Sequence, residues 1–153
     1  FSGTWRRSEY IGETEKGATV FDDYGHHPTE IEVTLKGFRE RYPKKHMIVV
    51  FQPHLHSRTK DFFDRFVESL SIADEIVLAP IFEARKEIKY SISSEKLAQA
   101  ITKKTGKKTE TFPDYEAIAA YLDTHTGADD LLITMGAGAI NTVAELLVHD
   151  ISK

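Results

Sequence analysis

Apolar residues along this chain change period repeatedly between two and about 3.6, the signature of strands alternating with helices. Ser8-Glu9-Tyr10-Ile11 and Ala18-Thr19-Val20-Phe21 flank a polar turn at Glu15-Lys16-Gly17, which predicts a hairpin within Arg7 to Asp23. Pro28 suits the first position of a helix, and Ile31, Leu35, Phe38 and Tyr42 continue it until Pro43. Met47 to Phe51 reads as a buried strand, followed by a helix carrying Phe62, Phe63, Phe66, Val67 and Leu70 on one side. Glu75 to Ala79 predicts the next strand, and Ser94 to about Thr105 the next helix, with Gly106 as its stop. Thr109 to Phe112 is a short strand, and Tyr115, Ile118, Ala119 and Leu122 line a helix after Pro113-Asp114. Leu131 to Thr134 is the last strand, and Ile140, Val143, Ala144 and Leu147 mark the last helix.

Five strand-then-helix units in succession predict an α/β fold with a doubly wound, mostly parallel, Rossmann-like sheet. The hairpin is expected to add an antiparallel edge strand, and residues 1–153 to form a single domain. Ligands of such sheets sit beyond the carboxyl ends of the strands. That rule selects Asp22 to Pro28, Gln52 to Arg58, Pro80 to Ser94 and Met135 to Asn141.

Composition narrows the partners. Twenty basic against 24 acidic residues leave a net charge of −4, which argues against tracking nucleic acid or an anionic membrane surface. There is no cysteine, so disulfides and thiolate metal sites are excluded. No apolar run is long enough to span a bilayer as a helix, and no apolar segment follows Arg6-Arg7 to make a secretion signal. A cytoplasmic location fits these features. With Phe1 in place of an initiator methionine, the sequence is expected to begin inside a longer protein.

Three strand ends carry candidate chemistry. Asp22-Asp23-Tyr24-Gly25-His26-His27-Pro28-Thr29-Glu30 gathers carboxylates, imidazoles and a phenol at a helix start. Such a cluster suits ribose hydroxyls, Mg²⁺ or an anion, although a capped turn with solvated histidines is the plainer reading of any one residue. In Gln52-Pro53-His54-Leu55-His56-Ser57-Arg58-Thr59, Arg58 is placed to hold a carboxylate, or simply to meet solvent, and Ser57 can cap a helix. The four histidines of these two segments lack metal-ligand spacing, so no metal site is assigned. Thr134-Met135-Gly136-Ala137-Gly138-Ala139-Ile140-Asn141 is half of a dinucleotide fingerprint, or a tight turn permitting close backbone packing.

The first of these strings resembles the DDYxHHPTE signature of the UDP-N-acetylmuramate–L-alanine ligases, a branch of the Mur ligase family. Around it, Trp5-Arg6-Arg7, Phe51-Gln52-Pro53-His54, Ser57-Arg58-Thr59 and Met135-Gly136-Ala137-Gly138 are similar to further family motifs, in order and spacing, over essentially the whole chain. The resemblance implies the C-terminal domain of a three-domain enzyme of peptidoglycan precursor synthesis. An N-terminal domain would hold UDP-N-acetylmuramate, and a central domain would hold ATP and Mg²⁺. The C-terminal domain would close over both and receive L-alanine. No GxxxxGK[ST] loop occurs in this chain, so the fragment alone is expected to be inactive. By position, the resemblance assigns Arg7 to the ATP phosphates and Asp23 to the ATP ribose. It assigns Tyr24, His26, His27, His54 and Arg58 to the substrate, with Arg58 on a carboxylate. These are positioning and electrostatic roles, with no acid–base or nucleophilic catalyst.

Two departures from the family pattern stand out. Leu55 and His56 occupy positions where relatives usually carry an arginine and an aromatic residue, and Ala139 follows MGAG where Asp or Asn is usual. Residue 55 is expected at the strand-to-helix edge of the cleft, its side chain reaching toward Arg58, with His56 available as an imidazolium partner for an anion. Alternatives are a related ligase that recycles peptides onto the same sugar, and a stand-alone nucleotide-binding or regulatory module.

Overall fold

The computed structural model describes residues 7–83 and 92–148. Trp5 and Arg6, and most of the loop from Glu83 to Ser94, lie outside the described residues. The hairpin comprises β1 (Glu9–Glu13) and β2 (Thr19–Asp23), followed by α1 (Pro28–Arg41) and β3 (His46–Phe51). Then come α2 (His56–Asp61), α3 (Phe63–Leu70), β4 (Glu75–Leu78) and α4 (Ser94–Thr105). The chain continues through β5 (Thr109–Thr111), α5 (Tyr115–His125), β6 (Asp130–Met135) and α6 (Asn141–Val148).

The strands form one sheet in the order β1-β2-β6-β3-β4-β5. Only β1 runs antiparallel to its neighbour; every other pair is parallel. Side-chain alternation along β3 divides the core between two faces. Met47, Val49 and Phe51 pack with Ile31 and Leu35 of α1, Phe66 of α3 and Leu97 of α4. Ile48 and Val50 face the other way, toward Ile118 of α5 and Val143 and Ala144 of α6. Helices cover both faces, which is why β3 reads as an unbroken apolar run and not as an alternating one.

Helix starts follow local chemistry. Ser93 caps α4 by accepting from the Lys96 N–H, and Asp114 caps α5 by accepting from the Ala117 N–H. One element differs from the sequence pattern. The helix expected around Phe62 is two helices, because Phe62 leaves helical geometry (φ −112°, ψ 22°) between α2 and α3. The break lets α2 bury His56 and Thr59 while α3 buries Phe66, Val67 and Leu70.

The winding order places the site. From β2 the chain steps to β3, β4 and β5, then returns through α5 so that β6 lies between β2 and β3. The carboxyl ends of β2, β6 and β3 are therefore adjacent at the reversal of strand order, the crevice where such sheets bind ligands.

Candidate functional site

Backbone hydrogen bonds tie the three strand ends together. Gly136 donates to the Asp23 carbonyl (3.2 Å), and Gln52 donates to the Met135 carbonyl (3.0 Å). The buried Thr134 hydroxyl donates to the Asp22 carboxylate at 2.6 Å. The glycines after β6 serve close packing. A Cβ on Gly136, whose φ is +146°, would meet the Gln52 carbonyl at 3.0 Å. A Cβ on Gly138 would lie 2.9 Å from both Gln52 Oε1 and Phe82 Cγ. The GxG half-motif thus seats Gln52 and Phe82 against the turn.

The segment after β2 turns sharply into α1. The Gly25 N–H donates to Asp23 Oδ1 (2.7 Å), which closes the turn. His27 caps α1: its Nδ1 accepts from the Thr29 N–H, while Glu30 Oε1 accepts from the His26 and His27 N–H groups. Burial raises the Glu30 pKa, but those two N–H bonds, with the charges of His26 and Arg7, outweigh it and hold the carboxyl below its ordinary 4.5. Glu30 and His27, both members of the sequence cluster, therefore build the helix start. The His27 ring packs edge-on against Phe62 (5.0 Å), away from the other imidazoles. In this structure the His27 side chain is engaged by the cap and by Phe62, between α2 and α3.

Tyr24, His26 and His54 do come together. Tyr24 is 43% exposed, and its ring meets that of His26 edge-on at 5.4 Å. His26, whose Nδ1 lies 3.2 Å from the Tyr24 carbonyl, sits 5.8 Å from His54. His54 in turn stacks on Phe82 at 5.7 Å and 20°. The four rings form a row across the carboxyl ends of β2, β3 and β4.

Arg7 and Asp23 share a second cleft of about 190 Å³, lined also by Tyr24, Thr29, Glu30 and Thr34. Arg7 is exposed, whereas Asp23 is 3% exposed. Its Oδ2 accepts from both the N–H and the hydroxyl of Ser8, at 2.7 and 3.0 Å. The structure thus brings Arg7 and Asp23 together but holds the carboxylate on Ser8.

The segment after β3 departs from expectation. Leu55 is 3% exposed with φ +67°, so its side chain is buried and does not reach into the cleft from its edge. Its N–H donates to the Phe82 carbonyl and its carbonyl accepts from the Thr59 N–H and hydroxyl, which fixes this uncommon backbone. His56 Nδ1 lies 3.6 Å from Glu83 Oε2, so this ring nitrogen faces a carboxylate of the protein itself. Arg58, half-buried in α2, has no hydrogen-bond or ion-pair partner for its guanidinium among the described residues.

Sequence reasoning missed Ser8, Phe82 and Tyr115. The Tyr115 hydroxyl donates to Gln52 Oε1 (2.7 Å), and Gln52 Nε2 donates to the Pro80 carbonyl (2.9 Å), which fixes a buried amide at the crevice floor. Phe82 fell inside a strand-end segment selected by the fold rule, but a single aromatic there carries no spacing signal. Among the described residues no helix is long and apolar enough to cross a membrane.

Known proteins resemble this arrangement. The sequence profile of the Mur ligase family's glutamate ligase domain matches residues 6–138. The UDP-N-acetylmuramate–L-alanine ligase of Agathobacter rectalis is 43% identical over 148 residues, 97% of this chain and 32% of that protein. The chain spans about a third of the length of the curated relatives it matches. Among solved structures, the UDP-N-acetylmuramate–alanine ligase of Thermotoga maritima superposes with a TM-score of 0.74 at 23% identity, over 96% of this chain and 30% of that one. A murein peptide ligase of Psychrobacter arcticus gives the same TM-score of 0.74 at 20% identity, over 97% and 30% of the two chains.

Proposed function

This chain belongs to the Mur ligase family, and from that premise we propose that it is the C-terminal domain of an ATP-dependent ligase joining L-alanine to UDP-N-acetylmuramate. The enzyme would act in the cytoplasm in peptidoglycan precursor synthesis, with its sugar-binding and ATP-binding domains supplied by upstream sequence. The carrying observation is the row Tyr24–His26–His54 at the reversal of strand order, with Arg58 on the helix that follows. A peptide-recycling ligase shares the fold equally well, and the sequence relatives favour the alanine-adding branch.

The cleft of about 190 Å³ shared by Arg7 and Asp23 is the place for the nucleotide contacts that the resemblance assigns to this domain. Bound ATP supplies the phosphoryl group that activates the muramyl carboxylate. Mg²⁺ would be held mainly by the central domain, as the resemblance implies. The residues of this chain bind and orient. Arg7 offers a planar cation to phosphate oxygens. Asp23 accepts ribose hydroxyls by exchanging them for the Ser8 donors it holds here. Tyr24, His26 and His54 wall the muramyl end, and the guanidinium of Arg58 takes a carboxylate. Holding amine and activated carboxyl in register contributes more than any single group, since orientation alone can lower a barrier by about 7–11 kcal/mol.

The test is phosphate release by the full-length protein. It should require ATP, UDP-N-acetylmuramate and L-alanine together, and this chain alone should release none above a heat-treated control. Turnover independent of L-alanine, or an open reading frame without an upstream GxxxxGK[ST] loop, would defeat the assignment.

A further inference from the structure

We propose that Phe82 is a positioning residue that fixes the His54 imidazole in the site. His54 follows β3 in no regular element, and the backbone turns directly after it through Leu55 at φ +67°. Regular pairing between β3 and β4 ends at Phe51 and Leu78. Beyond that point Phe82 donates its N–H to the Pro53 carbonyl and accepts from the Leu55 N–H, both at 2.8 Å, a parallel bridge that brackets His54. The two rings lie offset and nearly parallel, 5.7 Å apart at 20°, a geometry favoured by their quadrupoles.

Phe82 is itself seated from below. A Cβ on Gly138 would lie 2.9 Å from its Cγ and 3.0 Å from its Cδ1, so the ring rests on bare backbone after β6. Two residues before Phe82, the Pro80 carbonyl accepts from Gln52 Nε2, and Gln52 is held in turn by Tyr115. The ring is therefore fixed by the bracketing backbone bonds, by the glycine floor and by its stack on His54. A displaced Phe82 lets the His54 plane tilt, and His26, 5.8 Å further along the row, loses its neighbour's orientation. Phe82 acts through His54 and needs no contact of its own with substrate.

This inference rests on the assignment of His54 to the muramyl end, and its test separates the two. In the full-length ligase, Phe82→Leu should raise the KM for UDP-N-acetylmuramate about three- to tenfold and leave the KM for ATP unchanged, the size expected for one lost aromatic pair. Phe82→Tyr should restore wild-type values. Combined with His54→Ala, Phe82→Leu should add nothing, because the two positions act as one unit. Effects that multiply independently overturn the positioning role. If His54→Ala itself leaves the sugar KM unchanged, the His54 assignment fails, and the present inference is then judged on this chain alone. There the His54 ring-proton resonances should move in Phe82→Leu but not in Phe82→Tyr. Unmoved resonances in Phe82→Leu overturn it.

Discussion

The Asp23 carboxylate holds Ser8 by two bonds to one oxygen, from the N–H at 2.7 Å and the hydroxyl at 3.0 Å, while Ser8 keeps a φ of +51°. A non-glycine residue in that region costs about 1–3 kcal/mol and persists only where its surroundings impose it. The imposed turn directs Arg7, the neighbour of Ser8, into the cleft it shares with Asp23. The residue assigned to the nucleotide ribose is thus also the anchor of the residue assigned to its phosphates.

Asp23→Ala should therefore act twice. It leaves the part-buried N–H of Ser8 and the buried N–H of Gly25 without their acceptor, and a loss of about 1–3 kcal/mol in urea unfolding is expected. In the full-length enzyme the KM for ATP should rise about ten- to a hundredfold, the range for one charge-assisted hydrogen bond, with the alanine KM changing less. Ser8→Gly releases the strained φ while losing only the hydroxyl bond, so its stability should stay within about 1 kcal/mol of wild type. An unaltered ATP KM in Asp23→Ala would remove that residue from the nucleotide site.

Acid should weaken the fold partly through Asp74. Burial raises its pKa, but the Met47 N–H (2.9 Å) and the Arg39 guanidinium (2.8 Å), helped by the charge of His46, hold it below the ordinary 3.8. A depressed carboxyl stabilises the folded state at pH above its unfolded value, and that contribution disappears as pH falls from 3.8 through the lower folded value. Asp74→Asn should flatten this limb of the stability curve while lowering stability at neutral pH by about 1–2 kcal/mol. The comparison is made by chemical unfolding between pH 6 and the acid transition, and parallel curves would exclude Asp74 as a contributor.

Two glycines should respond oppositely to alanine. Gly37 lies within α1 with nothing within 4 Å of a built Cβ, so Gly37→Ala should stabilise by up to about 1 kcal/mol through helix propensity. Gly138→Ala places a methyl 2.9 Å from Phe82 Cγ and Gln52 Oε1 and should destabilise by about 1–3 kcal/mol. Calorimetry on both variants decides it; equal melting temperatures would mean that the floor under Phe82 yields freely.

Much of this was legible in the chain itself, for physical reasons that differ by residue. The 3.6-residue spacing of Ile31, Leu35 and Phe38 and the apolar run Met47 to Phe51 reflect burial, which depends on local pattern, and the elements and sheet follow. The segments that bring Tyr24, His26 and His54 together were legible because the fold rule points at strand ends. What sequence could not separate was an imidazole stacked in a row with His54 from a capping one: His26 and His27 are adjacent, and only the direction of the α1 start divides them. Phe82 was hidden because its partners, His54 and Gly138, are brought to it by β3 and β6 from distant parts of the chain. The same long-range packing buried Leu55.

Leu55 gives the sharpest test of that last point. Sequence alone sets residue 55 at the strand-to-helix edge of the cleft, reaching toward Arg58, where an arginine would be tolerated or would improve the alanine KM. In the structure Leu55 is 3% exposed, its N–H and carbonyl are both engaged, and its positive φ is fixed by them. Leu55→Arg must bury a guanidinium or push it out through the turn that carries His54. A buried charge without a partner is strongly unfavourable, so a loss of about 2–4 kcal/mol is expected, with the sugar KM raised through the displaced His54. Arg58 is then the guanidinium assigned to the carboxylate among the described residues, and Arg58→Ala should lower kcat/KM about ten- to a hundredfold. The double variant Leu55→Arg with Arg58→Ala decides between the two placements. If residue 55 is buried, the new arginine cannot reach the carboxylate, and the double variant stays at least as impaired as Arg58→Ala. Recovery of activity would mean that position 55 opens into the same cleft as Arg58, and that the two cations are interchangeable there after all.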